Sequence, residues 1–184
     1  MVEDQIANES RNLLIAGLVR EEINKGRRVL VLTKRIEHYK TIEGYLKGGD
    51  LHRNAGMDCR GKLEDAGSDG NSIIGISSKG TAKERAALMD SLRSGERDFT
   101  CLLGTYSLLA TGFDCPSLDT LILAGDLKSD VLTEQSGGRI LRIFAGKKEP
   151  KIIDIVDVRN STFKRQGYAR RQTYKEMGWE IIGD

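Results

Sequence analysis

This chain has little proline and little cysteine. Only Pro116 and Pro150 interrupt its 184 residues, while glycine occurs 21 times. That balance fits many tight turns between regular elements better than a disordered linker. The three cysteines, Cys59, Cys101 and Cys115, are odd in number and far apart. They form no CxxC pair and no convincing metal set with His38 and His52. The expectation is therefore no metal site and a reducing, cytoplasmic setting. No signal peptide and no long apolar run is present, which argues against a membrane span. An excess of one charge is also missing. The net charge of +2 is too small to imply a polyanionic partner, so any such case must rest on local patches.

What is present is ordinary for one globular domain: 39% hydrophobic and 30% charged residues in a chain long enough for a real core. Short apolar runs at 28–33, 73–77, 99–104, 118–124 and 151–156 read as buried strands. Helical patterns alternate with them. Residues 3–24 carry Ile6, Leu13, Leu14, Leu18 and Ile23 at near-helical spacing, with Gly26 as a stop. Residues 35–47 end at Gly48-Gly49, and Thr81-Ala82-Lys83-Glu84 has capping-box form before a helix that runs to Gly95. Residues 130–144 and 161–177 supply the last two helices. Continuous apolar strands alternating with helices predict an α/β fold, a mostly parallel sheet covered on both faces. Residues 48–71 are polar, aperiodic and rich in Gly and Asp, so they read as a long loop or insertion.

The segment Gln135-Ser136-Gly137-Gly138-Arg139-Ile140-Leu141-Arg142 breaks two local rules. In a helix, Gln135, Arg139 and Arg142 would share one face at i, i+4 and i+7. Two nearby arginines repel, and each internal glycine costs about 1 kcal/mol relative to alanine. Such violations usually mark a functional site. Two guanidinium forks and an amide, with nothing at Gly137 and Gly138 to block approach, suit an anion such as a phosphate chain. A solvated basic helix end is the plain alternative, and the segment by itself does not choose between them.

A decoy stands nearby. Gly56 to Leu63 nearly fits the phosphate-cradling pattern GxxxxGK[ST], but Leu63 replaces the hydroxyl that would hold magnesium. Neither a strand before it nor a helix after it is legible. No acidic box closes any strand, since Asp154 and Asp157 lack the usual acidic run. The parts that bind a magnesium–nucleotide tightly are not here.

Three features in order resemble the second RecA-like domain of superfamily 2 helicases and translocases. Thr33-Lys34-Arg35 after the first strand looks like that family's motif IV. Thr105 through Gly112-Phe113-Asp114-Cys115-Pro116 looks like motif V, and Gln135-x-x-Gly138-Arg139-x-x-Arg142 matches motif VI in full. The resemblance spans nearly the whole chain. It is nearest to the branch of restriction-enzyme translocases and repair and phage unwinding enzymes, because motif VI opens with Gln135. The family departs from this chain at the long 48–71 segment and at Ile76-Ser77-Ser78, where relatives often show a His-Gly pair.

The resemblance implies a single RecA-like domain over residues 1–184, with the N-terminal ATP-binding lobe absent from this chain. ATP and Mg2+ would be held mainly by that missing lobe, and none is expected on the isolated chain, which should be inactive. Arg139 and Arg142 would be arginine fingers. Gly112 would let backbone approach the nucleotide, Asp114 would meet the ribose, and Gln135 and Gly138 would complete the nucleotide contacts. Thr33, Lys34, Ser78, Lys79, Gly80 and Thr105 would hold a DNA backbone, or an RNA one, without reading its sequence. Two simpler readings stand beside these: Asp114 as a turn cap before Pro116, and Gln135 as a helix-start amide. Lys164, Arg165, Arg170, Arg171 and Lys175, interleaved with Tyr168 and Tyr174, read either as a strand-binding face or as a solvated face packed through Phe163 and Met177. The competing function is a free-standing RecA-like nucleic-acid-binding or assembly module without ATPase activity. A flanking coding sequence with GxxxxGK[ST] and an acidic DExx box would decide between the two.

Overall fold

Val29 to Thr33 is buried at every position, as a strand covered on both faces must be. It forms β1 (Val29–Thr33), the centre of a wholly parallel sheet with β2 (Ile73–Gly75), β3 (Cys101–Thr105), β4 (Thr120–Leu123) and β5 (Lys151–Asp154). The strand order is β2-β3-β1-β4-β5. This computed structural model describes residues 2–48, 73–76, 82–107, 113–125 and 146–183. Within them lie helices α1 (Val2–Ala7), α2 (Glu9–Asn24), α3 (Ile36–Lys47), α4 (Ala82–Ser94) and α5 (Ser161–Glu176). The helix expected at 130–144 and all of the insertion expected at 48–71 except Gly48 lie outside the described residues.

Alternate strand residues feed two separate cores. Val29, Val31, Cys101, Leu103 and Ile122 meet Ile15, Ala16 and Val19 of α2 and Tyr39, Ile42 and Leu46 of α3. Leu30, Leu32, Leu102, Leu121 and Leu123 meet Leu92 of α4, Phe99, Tyr106 and Phe113 on the other face. α5 is fastened at the end of β5: Asp154 receives Arg170 Nη2 at 2.7 Å, Arg170 Nε at 2.8 Å and the Tyr174 hydroxyl at 3.0 Å. Gly167 lets α5 approach closely, since a Cβ there would lie 2.5 Å from Val156 Cγ1. Helices therefore cover both faces of one α/β domain.

Two expectations about the first helices are corrected. The pattern at 3–24 is two helices, because Asn8 is extended and its side chain accepts the Arg11 N–H, capping α2. The buried stripe of α2 is also rotated from the apolar one. Arg11, Asn12, Ile15, Ala16, Val19 and Glu22 face inward, and Leu14 is left 51% exposed. Buried hydrogen-bonded polar groups, not leucines, close the two ends of that stripe.

The basic–aromatic reading of α5 is likewise divided. Arg170 and Tyr174 are buried partners of Asp154, whereas Lys164, Arg165 and Tyr168 face outward. Burial alone would lower the Arg170 pKa, but its hydrogen bonds to Asp154 and that carboxylate's charge raise it above the ordinary value.

Candidate functional site

The carboxyl ends of β1, β3 and β4 lie side by side, and in open parallel sheets that end is where ligands bind. Thr33 closes β1 fully buried, and its hydroxyl donates to the Arg35 carbonyl at 2.8 Å. That bond turns the chain into α3 and leaves Lys34 and Arg35 exposed on the rim. Thr105 lies in register with Thr33 and closes β3, its hydroxyl 2.7 Å from that of Ser107. The Thr33 carbonyl accepts the Tyr106 N–H at 3.0 Å.

Tyr106 then ties β3 to the exit of β4. Its buried hydroxyl donates to the Gly125 carbonyl at 2.9 Å and lies 3.3 Å from the Gly125 nitrogen. A Cβ on Gly125 would come within 3.1 Å of the Lys34 nitrogen, so a side chain there would wedge β4 from the β1 turn. From the opposite side, Arg11 Nη1 donates to the Ala124 carbonyl at 2.9 Å while its Nε holds Asp157 at 2.9 Å. Gln5 Nε2 donates to the same carboxylate.

Asp114 sits half-buried between Phe113 and Cys115, both buried in the core, and its carbonyl lies 3.4 Å from Arg93 Nε. Of the residues singled out in the sequence, Thr33, Lys34, Thr105 and Asp114 are thus located. The structure brings Thr33, Lys34 and Thr105 to one end of the sheet. Ser78, Lys79, Gly80, Gly112, Gln135, Gly138, Arg139 and Arg142 lie outside the described residues, as does the decoy at 56–63. Arg11, Tyr106 and Gly125 were not anticipated. The one available signal was charge at both ends of an inward helical stripe, Arg11 and Glu22.

The cysteines and His38 are internal. Cys101 and Cys115 are buried free thiols in different cores, and burial pushes both pKa values up. His38 is buried against Asn12, with Nε2 3.0 Å from Oδ1. Among the described residues no group of three or more His, Cys, Asp or Glu could hold a metal ion. No described helix is long and apolar enough to cross a membrane. A cavity of about 250 Å³ lined by Arg28, Ser117, Asp119 and Lys147 lies at the other, amino end of the sheet.

Five parallel strands with helices on both faces, and with Thr33, Lys34 and Thr105 at one end, define a RecA-like α/β domain. In fold it is similar to T4 UvsW, with a TM-score of 0.69 at 18% identity, covering 98% of this chain and 35% of that one. In sequence it is 31% identical over 178 residues to "Putative helicase 161L" of Invertebrate iridescent virus 6, covering 97% of this chain and 36% of that protein. It is 28% identical over 182 residues to a "Putative ATP-dependent RNA helicase" of Acanthamoeba polyphaga mimivirus, covering 98% of this chain and 30% of that protein. No family model matches the chain. These likenesses support a superfamily 2 helicase C-terminal-like domain. It spans about a third of the length of these curated relatives.

Proposed function

We propose that this chain is the C-terminal motor lobe of an ATP-dependent DNA helicase or translocase. The observation that carries the reading is the complete QxxGRxxR pattern at 135–142, in a chain whose sequence relatives are named helicases. Thr33 and Lys34 of motif IV and Thr105 of motif V would then act from one end of one sheet.

In this reading Arg139 and Arg142 neutralise charge developing on the transferred phosphoryl group. Gly112 allows backbone to approach the nucleotide, and Gln135 and Gly138 line it. The residues present fit one side of a nucleotide: the half-buried carboxylate of Asp114 suits ribose hydroxyls, and the arginines suit phosphates. ATP with Mg2+, held mainly by an N-terminal lobe, supplies the phosphoryl group. Lys34, Ser78, Lys79, Gly80 and Thr105 hold the nucleic-acid backbone. Thr33, its hydroxyl already bonded to Arg35, serves by shaping the turn that presents Lys34.

The test uses the full-length enzyme. Arg139→Ala or Arg142→Ala should lower hydrolysis by roughly 10³–10⁵-fold, the range measured for arginine fingers. Thermal melts and ground-state nucleotide affinity should change far less, because a finger acts as the cleft closes on the transition state. Arg→Lys should fail too, since an ammonium lacks the planar fork. Normal hydrolysis in these variants would return both residues to a solvated basic helix. Stimulation by DNA against RNA single strands, compared in the same assay, identifies the track.

A further inference from the structure

We propose that the outward face of α5 binds a single nucleic-acid strand, with a base stacked on Tyr168 and phosphates on the surrounding cations. This deepens the motor-lobe reading and rests on it for the identity of the occupant.

The inner face of α5 is fully committed. Phe163, Gly167, Arg170 and Tyr174, at i, i+4, i+7 and i+11, form its buried stripe against Val156 and Asp154. Helical geometry then sets Lys164, Tyr168, Arg171 and Lys175 in a second stripe one residue over, about 16 Å long, with Arg165 beside it. Tyr168 is 60% exposed, and the Lys164 ammonium stands 5.8 Å from its ring centroid. The ring therefore has cations three and four residues before it and three and seven after it. Arg171 also donates to the Gly183 carbonyl. Apart from Arg170, turned inward to Asp154, the helix shows four cations outward against Glu176, which accepts from Gln172.

Local rules do not favour that arrangement. The first turn of α5 carries no acidic residue, and Lys164 and Arg165 follow directly, in the half of the helix whose dipole disfavours positive charge. Arg171 and Lys175, four apart, repel one another. The last turn favours Lys175, but Lys164 and Arg165 have no such compensation from the helix dipole, and an external polyanion would supply it. A ring set among cations is the combination that binds single strands, stacking under a base while ammonium and guanidinium groups follow the backbone. The position also fits. α5 starts just beyond Asp157, which Arg11 links to the Ala124 carbonyl, so its amino half lies at the Lys34 end of the sheet.

The experiment measures binding of labelled oligothymidylate by this purified chain across a salt series, with the fold checked by circular dichroism. Tyr168→Ala should weaken binding roughly 5-fold or more, the lower end of what one base–aromatic stack contributes, and Tyr168→Phe should not. Lys164→Ala with Arg165→Ala should reduce the salt slope by about 1.4, or about 0.7 per charge. Lys34→Ala is the control for the sheet-end contacts. Loss with Tyr168→Ala but none with Lys34→Ala would keep this surface and remove those contacts. The converse would overturn this surface and leave the motor-lobe reading standing. Polyglutamate competing as well as oligothymidylate, with no dependence on Tyr168, would overturn it in favour of an acidic protein partner.

Discussion

His38 shows how one buried residue sets a pH limit on the domain. Asn12 donates from Nδ2 to the Ile6 carbonyl, so its Oδ1 faces the imidazole, which donates from Nε2. Burial pushes the His38 pKa down to about 4, with the Arg11 charge acting the same way and Asp157 opposing. The folded chain therefore keeps His38 neutral to about pH 4, while the unfolded chain protonates it near its ordinary value of about 6.5. Between these values the unfolded state binds the extra proton. Stability is lost as pH falls through that window, by about 3 kcal/mol in all, and is unaffected by this group above it. Urea melts from pH 4 to 7.5 check this. The difference between wild type and His38→Gln should carry that slope, and a flat difference would sink the assignment. None of this was legible beforehand. Asn12 and His38 stand 26 residues apart, and no local pattern pairs them. Arg11 and Ala124, 113 apart, are a stronger case.

At the scale of elements, the strands were legible because parallel strands buried on both faces must be apolar without interruption. The runs at 28–33 and 118–124 contain β1 and β4 for that reason. Helix faces were less legible. The leucines of α2 suggested one stripe, but capping by Asn8 and the pairing of Arg11 with Asp157 and of Glu22 with Lys151 turned another inward. Contact between α5 and the sheet gives a direct test. Gly167→Ala should gain about 1 kcal/mol in helix propensity and lose about 1–3 kcal/mol from forced contact with the stiff Val156 side chain. The expected net is destabilisation. In a Val156→Ala background the same change should become neutral or stabilising. Denaturant melts of the four proteins give the coupling, and additivity would show that the close approach carries no strain.

For the whole molecule, the candidate site rests on motif spacing, and of its residues Thr33, Lys34, Thr105 and Asp114 are the ones located in the described structure. What spacing could not convey is how the strand exits are joined. The Tyr106–Gly125 and Arg11–Ala124 bonds exist only once β3, β4 and α2 have met. Two expectations concern the chain by itself. It should show no steady ATP hydrolysis, because a phosphate cradle and a metal-holding carboxylate pair are both missing from its sequence. It should bind single strands weakly and lose them steeply with salt, through only a few phosphate contacts. A phosphate-release assay checks the first: turnover unaffected by Arg139→Ala would refute the lobe reading. Tight or salt-resistant binding would oppose the second.

The strand order has a kinetic consequence. β1 joins β3 on one side and β4 on the other, so the pairs β2-β3 and β4-β5 meet only through it. Every contact in this sheet is parallel, and a parallel pair cannot start from a tight hairpin. Each pairing has to close a crossover before any ladder bond rewards it, and Val29 must find Cys101 and Thr120, both far along the chain. Such topologies fold slowly for their size. Until β1 is seated, the two halves of the sheet each present an unpaired strand edge, the feature that chains in the same solution most readily capture from one another.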